Sequence, residues 1–322
     1  RRHLLLRRRF APHKGVRRRR QSSSSSSSSG ILVVNPNTSA AFNAIIEARC
    51  GGLARCVGAT RGPETIESFY DEVLSTPPTL EILLREPFEA AVIACFSDHP
   101  AVAAGREISA KPVVGLLDSA CAAATLVGDR FGIVTTSRSW EPLLRHGVAR
   151  LGLTERCVGV RAVDARVADA EGQLERVRRA AADCANDGAD VVILGCAGFA
   201  AMDDLQLPGG VVVVEPLLAA VQACHFLLSQ GLSTSKRSLY AAPLFKPYHG
   251  DDARLFEAGY DRPSEPSDDQ APAVTTTKQR HSIAGPRARS PPTTTRRPPP
   301  PSHDADGDKT TVMTYDDYFF PK

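Results

Sequence analysis

Short apolar runs recur along the middle of the chain and predict its strands. They are continuous and rich in β-branched residues, as is typical of strands that are buried on both faces of a sheet. The runs are Ile31–Val34, Ala91–Ala94, Val113–Leu116, Phe131–Val134, Val158–Val160, Val191–Leu194 and Val211–Val214. The stretches between most of these runs are rich in Ala, Leu and Arg, with apolar residues at helical spacing. Those helices are predicted at Ala41–Arg49, Thr79–Glu89, Ser119–Val127, Trp140–Leu151, Glu171–Asn186 and Pro216–Gln230.

The alternation of strands and helices predicts an α/β fold. Such a pattern is typical of parallel sheets covered by helices on both faces. In these folds ligands bind at the carboxyl ends of the strands. The residues that directly follow each apolar run are therefore the candidates for a functional site.

The two ends of the chain have compositions that differ from the middle. Residues 1–30 hold ten Lys/Arg, no Asp/Glu and the serine run Ser22–Ser29, which predicts a disordered Arg/Ser-rich arm. The same composition is also typical of a mitochondrial transit peptide. Residues 249–322 hold 11 of the 24 prolines and several Thr runs, which predicts a disordered Pro/Thr-rich tail.

Charge and composition limit the classes of function. The formal net charge is +3, but residues 31–248 hold 19 basic and 24 acidic residues, so the middle is mildly acidic. We therefore expect no nucleic-acid partner. No apolar run reaches the roughly 18 residues of a membrane span, so we expect no membrane partner either. The eight cysteines form no C-x-x-C pair and the eight histidines no ligand spacing, which favours a reducing, cytoplasmic location and no metal.

Polar residues follow the first strand. The segment Asn35–Ser39 offers Thr38 or Ser39 as a helix cap, and Asn37 as a small polar group at the mouth of the sheet. It contains neither a G-x-G-x-x-G nor a Walker A pattern, so a nucleotide cofactor is not indicated.

Two cysteines follow buried strands in equivalent places of the chain. Cys95 follows Ala94 and Cys196 follows Gly195, and each precedes a predicted helix start. The N-terminal end of a helix favours a thiolate, so we expect a lowered thiol pKa at both positions. The other cysteines are interpreted as buried packing residues; these are Cys50, Cys56, Cys121, Cys157, Cys184 and Cys224.

Two thiols that face each other across a cleft suit racemisation without a cofactor. One thiolate removes a proton from a carbon acid, and the opposite thiol returns a proton to the other face. Small polar side chains would hold the negative oxygen that forms. The strand-end candidates for that role are Asn37, Ser97, Thr135 and Thr136.

The order of several short motifs resembles the hydantoin racemases of the aspartate/glutamate racemase superfamily. The resemblance covers residues 31–248 and neither end of the chain. The motifs are Ile31–Ser39, Gly62-Pro63 with Ile66–Ser68 and Tyr70-Asp71, Ala94–Asp98, Arg106-Glu107 with Pro112–Gly115, Phe131–Thr136, Asp187–Asp190 with Leu194–Gly198, and Thr234–Lys236 with Tyr240-Ala241.

This resemblance implies a racemase domain over 31–248 that needs no cofactor. Its two pseudo-symmetric halves would be about 31–127 plus 215–248, and about 128–214, with the active site in the cleft between them. Cys95 and Cys196 would be the catalytic acid/base pair. The substrate-binding residues implied by motif position are Asn37, Ser68, Ser97, Thr135, Thr136, Ala197 and Gly198. Family substrates are 5-substituted hydantoins, including allantoin, and members commonly form homo-oligomers.

Some positions depart from the family pattern and leave alternatives open. His99 and Phe199 follow the two cysteine motifs at positions where the family usually has other residues. We therefore expect the shape of the pocket to differ from that of other members. A histidine beside a cleft is more often structural than catalytic. The alternatives are an aspartate/glutamate racemase, a maleate isomerase, a malonate decarboxylase, or a relative that binds ligand without catalysis.

Overall fold

The fold contains two four-stranded parallel sheets. The structure is a computed structural model that describes residues 30–260 except 168, 170–172, 200–201 and 203–204. In the first sheet the strand order is β2-β1-β3-β4, and in the second it is β6-β5-β7-β8. The strands are β1 Ile31–Asn35, β2 Arg55–Gly58, β3 Ala90–Ile93, β4 Val113–Gly115, β5 Phe131–Thr135, β6 Cys157–Ala162, β7 Val191–Leu194 and β8 Val212–Val214. The repeated order confirms the predicted α/β class with two pseudo-symmetric halves.

Helices connect the strands and pack on the sheets. They are α1 Ala40–Cys50, α2 Phe69–Arg85, α3 Pro100–Ile108, α4 Leu116–Val127, α5 Trp140–Arg150, α6 Leu174–Asn186, α7 Pro216–Ser229 and α8 Ala253–Glu257. Ser39 caps α1 by accepting a hydrogen bond from the backbone N–H of Phe42, as its position in the sequence predicts. None of the helices in the described part of the chain is long and apolar enough to cross a membrane.

A continuous apolar core joins the two sheets. Its buried side chains come from β1 and β3 of the first sheet, from β5 and β7 of the second, and from α4 and α7 between them. Helix α7 packs against α4 and also contacts α1 and β3. This shared core holds the carboxyl ends of the two central strand pairs next to each other, which positions the site.

Some elements of the structure differ from the sequence predictions. Strand β2 was not predicted, and the helix expected after Cys95 begins at Pro100 as α3. Helix α2 begins at Phe69 and ends at Arg85, not at Thr79 and Glu89. The pair Pro77-Pro78 lies inside α2, although proline normally interrupts a helix. Within this helix the hydroxyls of Ser75 and Thr76 donate hydrogen bonds to the Glu72 carbonyl, at 2.9 Å and 2.7 Å.

The folded part continues beyond the boundary predicted at residue 248. Helix α8 contacts α2, and Asp252, just before α8, lies 3.5 Å from Arg61 in an ion pair. The described structure thus includes residues 249–260, which the sequence analysis assigns to the C-terminal tail. The predictions for 1–29 and for 261–322 lie outside the described residues.

Candidate active site

The carboxyl ends of strands from both sheets meet at one cavity of about 480 Å³, a volume that includes its mouth. Strands β1 and β3 contribute residues from one side, and β5 and β7 contribute residues from the other. The lining comprises Asn35, Pro36, Asn37, Phe42, Ile46, Ile66, Ala94, Cys95, Phe96, Thr135, Thr136, Trp140, Val167, Gly195, Cys196 and Ala197.

Most of the residues singled out from the sequence come together here. The cavity lining includes both candidate catalytic cysteines and four of the candidate substrate-binding residues, namely Asn37, Thr135, Thr136 and Ala197. Ser97 and Gly198 are not part of the lining, but Ser97 hydrogen-bonds the Cys95 sulfur and Gly198 hydrogen-bonds the Cys196 sulfur. Ser68 instead caps α2, because its hydroxyl accepts the backbone N–H of Asp71 and donates to the Asp71 carboxylate at 2.9 Å.

A network of amides orients the polar wall after β1. The Asn35 side-chain N–H groups donate to the side-chain oxygens of Asn37, at 3.0 Å, and of Asn43, at 2.8 Å. The backbone N–H of Ser39 donates to the same Asn37 oxygen at 3.0 Å. Both lone pairs of that oxygen are thus in use, so the Asn37 amide presents its N–H groups as donors. Asn35 was not among the predicted site residues, although it directly ends the first strand.

Burial dominates the chemistry of the two thiols. The Ser97 hydroxyl lies 3.5 Å from the Cys95 sulfur, and the backbone N–H of Gly198 lies 3.3 Å from the Cys196 sulfur. Loss of water contact raises the pKa of Cys196 to about 12, although backbone hydrogen bonds from Gly198 and Phe199 oppose the shift. Burial also raises the pKa of Cys95 far above its usual range, and the charge of Glu72 adds to the effect.

The predicted lowering of both thiol pKa values is therefore wrong. Desolvation outweighs the local hydrogen bonds at both sulfurs. The predicted helix start after Cys196 is a three-residue 3₁₀ helix, Ala197–Phe199. In addition, α3 begins only at Pro100, so Cys95 is separated from the first turn of that helix. Both sulfurs therefore lie in surroundings that favour the neutral thiol over the thiolate.

Two glutamates from one segment flank the cavity and were missed from the sequence. Glu72, in the first turn of α2, is 3 % exposed, and burial raises its pKa to about 7 while a hydrogen bond with Ser97 works to lower it. Glu67 accepts the backbone N–H of Val167 at 2.9 Å. Recognition of α2 from Phe69 onward would have placed Glu72 on the inner face of that helix.

His99 and Phe199 lie outside the cavity lining, so they do not shape it directly. His99 is 1 % exposed and caps α3 through Nδ1, which accepts the backbone N–H of Ala101 at 3.2 Å. Its protonated Nε2 then donates to the Ser75 hydroxyl at 3.0 Å. Burial lowers the pKa of His99 to about 4, so the ring is neutral and structural at neutral pH. The Phe199 side chain is fully buried in the core beside β7.

The cavity lining, as far as the described residues show it, contains no charged side chain. Its polar groups are amides, hydroxyls, thiols and backbone groups. Apolar walls come from Phe42, Ile46, Ile66, Trp140 and Val167. Among the described residues no group of three or more His, Cys, Asp or Glu is arranged to hold a metal ion.

Comparison with known proteins identifies the class. A family model described as Asp/Glu/hydantoin racemase matches residues 31–224. A hydantoin racemase of Pseudomonas sp. strain NS671 is 34% identical over 235 residues, which cover 68% of this chain and 94% of the relative. The fold with its strand-end site is thus that of an isomerase, a racemase that acts on small molecules. The chain belongs to the Asp/Glu/hydantoin racemase family.

Two solved structures extend the comparison to three dimensions. An allantoin racemase from Klebsiella pneumoniae superposes with a TM-score of 0.65 at 32% identity, covering 70% of this chain and 98% of its own. An allantoin racemase from Pseudomonas fluorescens superposes with a TM-score of 0.64 at 30% identity, covering 68% of this chain and 99% of its own.

Proposed function

We propose that this racemase acts on 5-substituted hydantoins, allantoin included, without a cofactor and with Cys95 and Cys196 as its acid/base pair. The observation that carries the proposal is the composition of the cavity. Two thiols, one from the end of β3 and one from the end of β7, share a space whose described lining bears no charged side chain. The two sulfurs influence each other electrostatically, because the negative charge of an ionised Cys196 contributes to the raised pKa of Cys95.

The reaction needs only these groups and the substrate. The C5 proton of a hydantoin ring lies next to a carbonyl, so its removal places negative charge on the carbonyl oxygen. One thiolate takes that proton, and the opposite thiol donates its own proton to the other face of C5. The ring returns to neutrality with inverted configuration, and thiol and thiolate have exchanged places. The N–H groups of Asn37 and the hydroxyls of Thr135 and Thr136 are the donors available to the developing oxyanion.

A neutral ring fits the cavity better than the substrates of the alternative enzymes. Amino acids carry a carboxylate and an ammonium, and maleate and malonates are dianions. Buried ionic groups of this kind require charged or multiply hydrogen-bonded partners. The amides and hydroxyls of the described lining match the N–H and C=O groups of a hydantoin ring. The apolar side chains of Phe42, Ile46 and Trp140 provide a wall that suits an apolar 5-substituent.

The similar proteins support the same substrate class. The relative from Pseudomonas sp. strain NS671 bears the name hydantoin racemase, and both superposed structures are titled allantoin racemases. These names describe those proteins. For this chain they favour a hydantoin-like ring over a free amino acid.

Proton NMR in D₂O tests the proposal. Single enantiomers of allantoin, a 5-alkyl hydantoin, a 5-benzyl hydantoin, aspartate and glutamate are each incubated with the enzyme. We expect loss of the C5–H signal of a hydantoin, faster than without enzyme, and no exchange of aspartate or glutamate. Cys95→Ser and Cys196→Ser should each abolish racemisation, whereas Cys157→Ser, a half-buried cysteine at the start of β6, should not. Near-normal turnover in either active-site variant would refute the two-thiol mechanism.

We also propose that the enzyme works as a homo-oligomer in the reducing cytoplasm. All eight cysteines lie in the described part of the chain and all are free thiols, as a reducing compartment would keep them. Light scattering of the purified protein measures the assembly, and a monomeric mass would contradict it. Microscopy of the tagged full chain tests the location, with mitochondrial signal as the opposing result.

A further inference from the structure

Glu72 is a buried carboxyl group that the reaction described above leaves without a role. It lies on α2, outside the cavity lining, with 3 % of its surface exposed. Its Oε1 has no hydrogen-bond partner among the described residues. An ionised carboxylate in such a place costs several kcal/mol unless something compensates it. A side chain kept there only for packing would be expected to be apolar or fully hydrogen-bonded.

The groups around Glu72 do not neutralise it. The negative charge of Asp98 raises the pKa of Glu72, and the charge of Glu72 in turn raises the pKa of Cys95. Neither neighbour is positively charged. Asp98 itself pairs with Arg150 on α5. His99, from the segment before α3, is neutral and is hydrogen-bonded to the side chain of Ser75. Because no positive group among the described residues stabilises its carboxylate, Glu72 can change between its neutral and ionised forms near neutral pH.

Ser97 connects Glu72 to the reacting sulfur. Its hydroxyl lies 3.5 Å from the Cys95 sulfur, and the same side chain stabilises the ionised form of Glu72, because its interaction with the carboxyl group opposes the rise in the Glu72 pKa. A hydroxyl has one proton and two lone pairs, so it can donate to one of these neighbours while it accepts from the other. The order carboxyl, hydroxyl, thiol is a continuous path for a proton from Cys95 to a group behind the cavity.

We propose that Glu72 is a positioning residue that accepts, through the Ser97 hydroxyl, the proton that Cys95 must lose to become a base. This inference rests on the proposed role of Cys95 in racemisation. The Cys95 S–H bond breaks and its proton goes to the Ser97 oxygen, while the Ser97 O–H bond breaks and its proton goes to a Glu72 oxygen. Glu72 becomes neutral as Cys95 becomes a thiolate, so the net charge is unchanged and no further reactant is needed.

The second thiol has a different environment. The Cys196 sulfur accepts a hydrogen bond from the backbone N–H of Gly198, and an amide N–H, unlike a hydroxyl, has no lone pair with which to accept a proton while it donates one. The path to a buried carboxyl group is thus a property of Cys95. The raised pKa of Glu72, about 7, means that this acceptor is present as the carboxylate in a substantial fraction near neutral pH.

Alkylation of Cys95 tests the path without any substrate. Wild type, Glu72→Gln, Glu72→Asp and Ser97→Ala are treated with iodoacetamide between about pH 5 and pH 9, and the Cys95 peptide is quantified by mass spectrometry. We expect the wild-type rate to rise through a step near pH 7. Glu72→Gln and Ser97→Ala should each lose that step and react on the order of 10-fold more slowly at pH 8. Glu72→Asp should keep part of the step.

The competing explanations predict other outcomes. If Glu72 acted only through its charge, its removal would make Cys95 ionise more easily, and Glu72→Gln would react faster. If it were only structural, the step near pH 7 would remain in Glu72→Gln. Either result would overturn the proposal. Glu81→Gln changes the same charge on α2 at a residue that pairs with Arg61 and Arg85, and should behave as wild type. Circular dichroism confirms that each variant is folded.

Racemisation by the same variants separates this inference from the proposed function. In wild type, kcat/KM should rise as the pH passes through about 7. In Glu72→Gln this rise should be absent, and kcat/KM above that pH should be lower on the order of 100-fold. The double variant with Ser97→Ala should lose no more than either single variant, because both interrupt one path. Full activity of Cys95→Ser would refute the proposed function, while an unchanged pH step in Cys95 alkylation would refute the path.

Discussion

Glu67 and Val167 join the two halves of the molecule across the mouth of the cavity. The Glu67 carboxylate follows β2 and precedes α2, and it accepts the backbone N–H of Val167 at 2.9 Å and 3.3 Å through its two oxygens. Val167 lies after β6 in the other half, and its side chain lines the cavity. One carboxylate therefore holds a wall of the site that belongs to a different sheet.

Removal of this contact should weaken substrate binding. Glu67→Ala leaves the Val167 N–H without its acceptor, and a partly buried donor left unsatisfied costs about 1 to 2 kcal/mol. We expect KM to rise roughly 5- to 30-fold with a smaller change in kcat. Glu67→Gln keeps an oxygen acceptor and should keep a KM near that of wild type. Steady-state kinetics measures both, and an equal effect of the two substitutions would contradict this role.

Loss of the Asn37 amide should slow the chemical step. Its N–H groups are oriented by Asn35 and Ser39, so Asn37→Ala removes a positioned donor to the developing oxyanion. Such donors are worth about 10²- to 10³-fold in kcat. Asn43→Ala is the matched control, because Asn43 also binds the Asn35 amide but does not line the cavity. A kcat in Asn37→Ala as high as in Asn43→Ala would exclude the assigned role.

Glu72 should make the stability of the enzyme depend on pH. Its pKa is about 7 in the folded protein and 4.5 in the unfolded chain, so the folded state binds the proton more tightly. This stabilisation is complete below pH 4.5 and is lost as pH rises through 7. As the pH rises from 4.5 to above 7, the unfolding free energy of Glu72→Gln should therefore increase relative to that of wild type, by up to about 3 kcal/mol.

Urea unfolding of both proteins at about pH 5 and pH 8 measures this difference. The gain in Glu72→Gln should appear mainly at the higher pH, where the wild-type carboxyl group is ionised. Curves that differ by the same amount at both pH values would show that Glu72 titrates alike in the folded and unfolded states.

Gly195 sets the position of Cys196 through a close approach of the backbone. A β-carbon at residue 195 would lie 2.7 Å from the Val134 carbonyl oxygen and 2.8 Å from a methyl of Ile133. Gly195→Ala should therefore shift the end of β7, lower the melting temperature and reduce kcat on the order of 10-fold or more. Gly159→Ala in β6, whose β-carbon would meet nothing within 4 Å, should leave both unchanged. Thermal unfolding and kinetics decide, and a fully active Gly195→Ala enzyme would contradict the steric argument.

The regular, buried part of the fold was predictable from local pattern. Strands β1, β3, β5 and β7 are continuous apolar runs because both of their faces are covered, and that burial leaves a strong signal in the sequence. Strand β2 was missed because it has only four residues and begins with the exposed Arg55. Such a short segment contains no continuous apolar run of the kind that marks the buried strands. Helix α2 was predicted to begin at Thr79, but it begins ten residues earlier, at Phe69, and contains Pro77 and Pro78.

The sequence by itself determined the α/β class, the two thiols at the ends of β3 and β7, and most of the polar residues that line the cavity. These features follow from strand burial and from the rule that ligands bind at the carboxyl ends of parallel strands. Only the tertiary structure decided that Glu72 interacts with Ser97, that Glu67 reaches Val167, and that the Cys95 and Cys196 thiols have raised rather than lowered pKa values. Desolvation and contacts between distant segments depend on which surfaces meet in space, and the spacing of residues along the chain does not encode that directly.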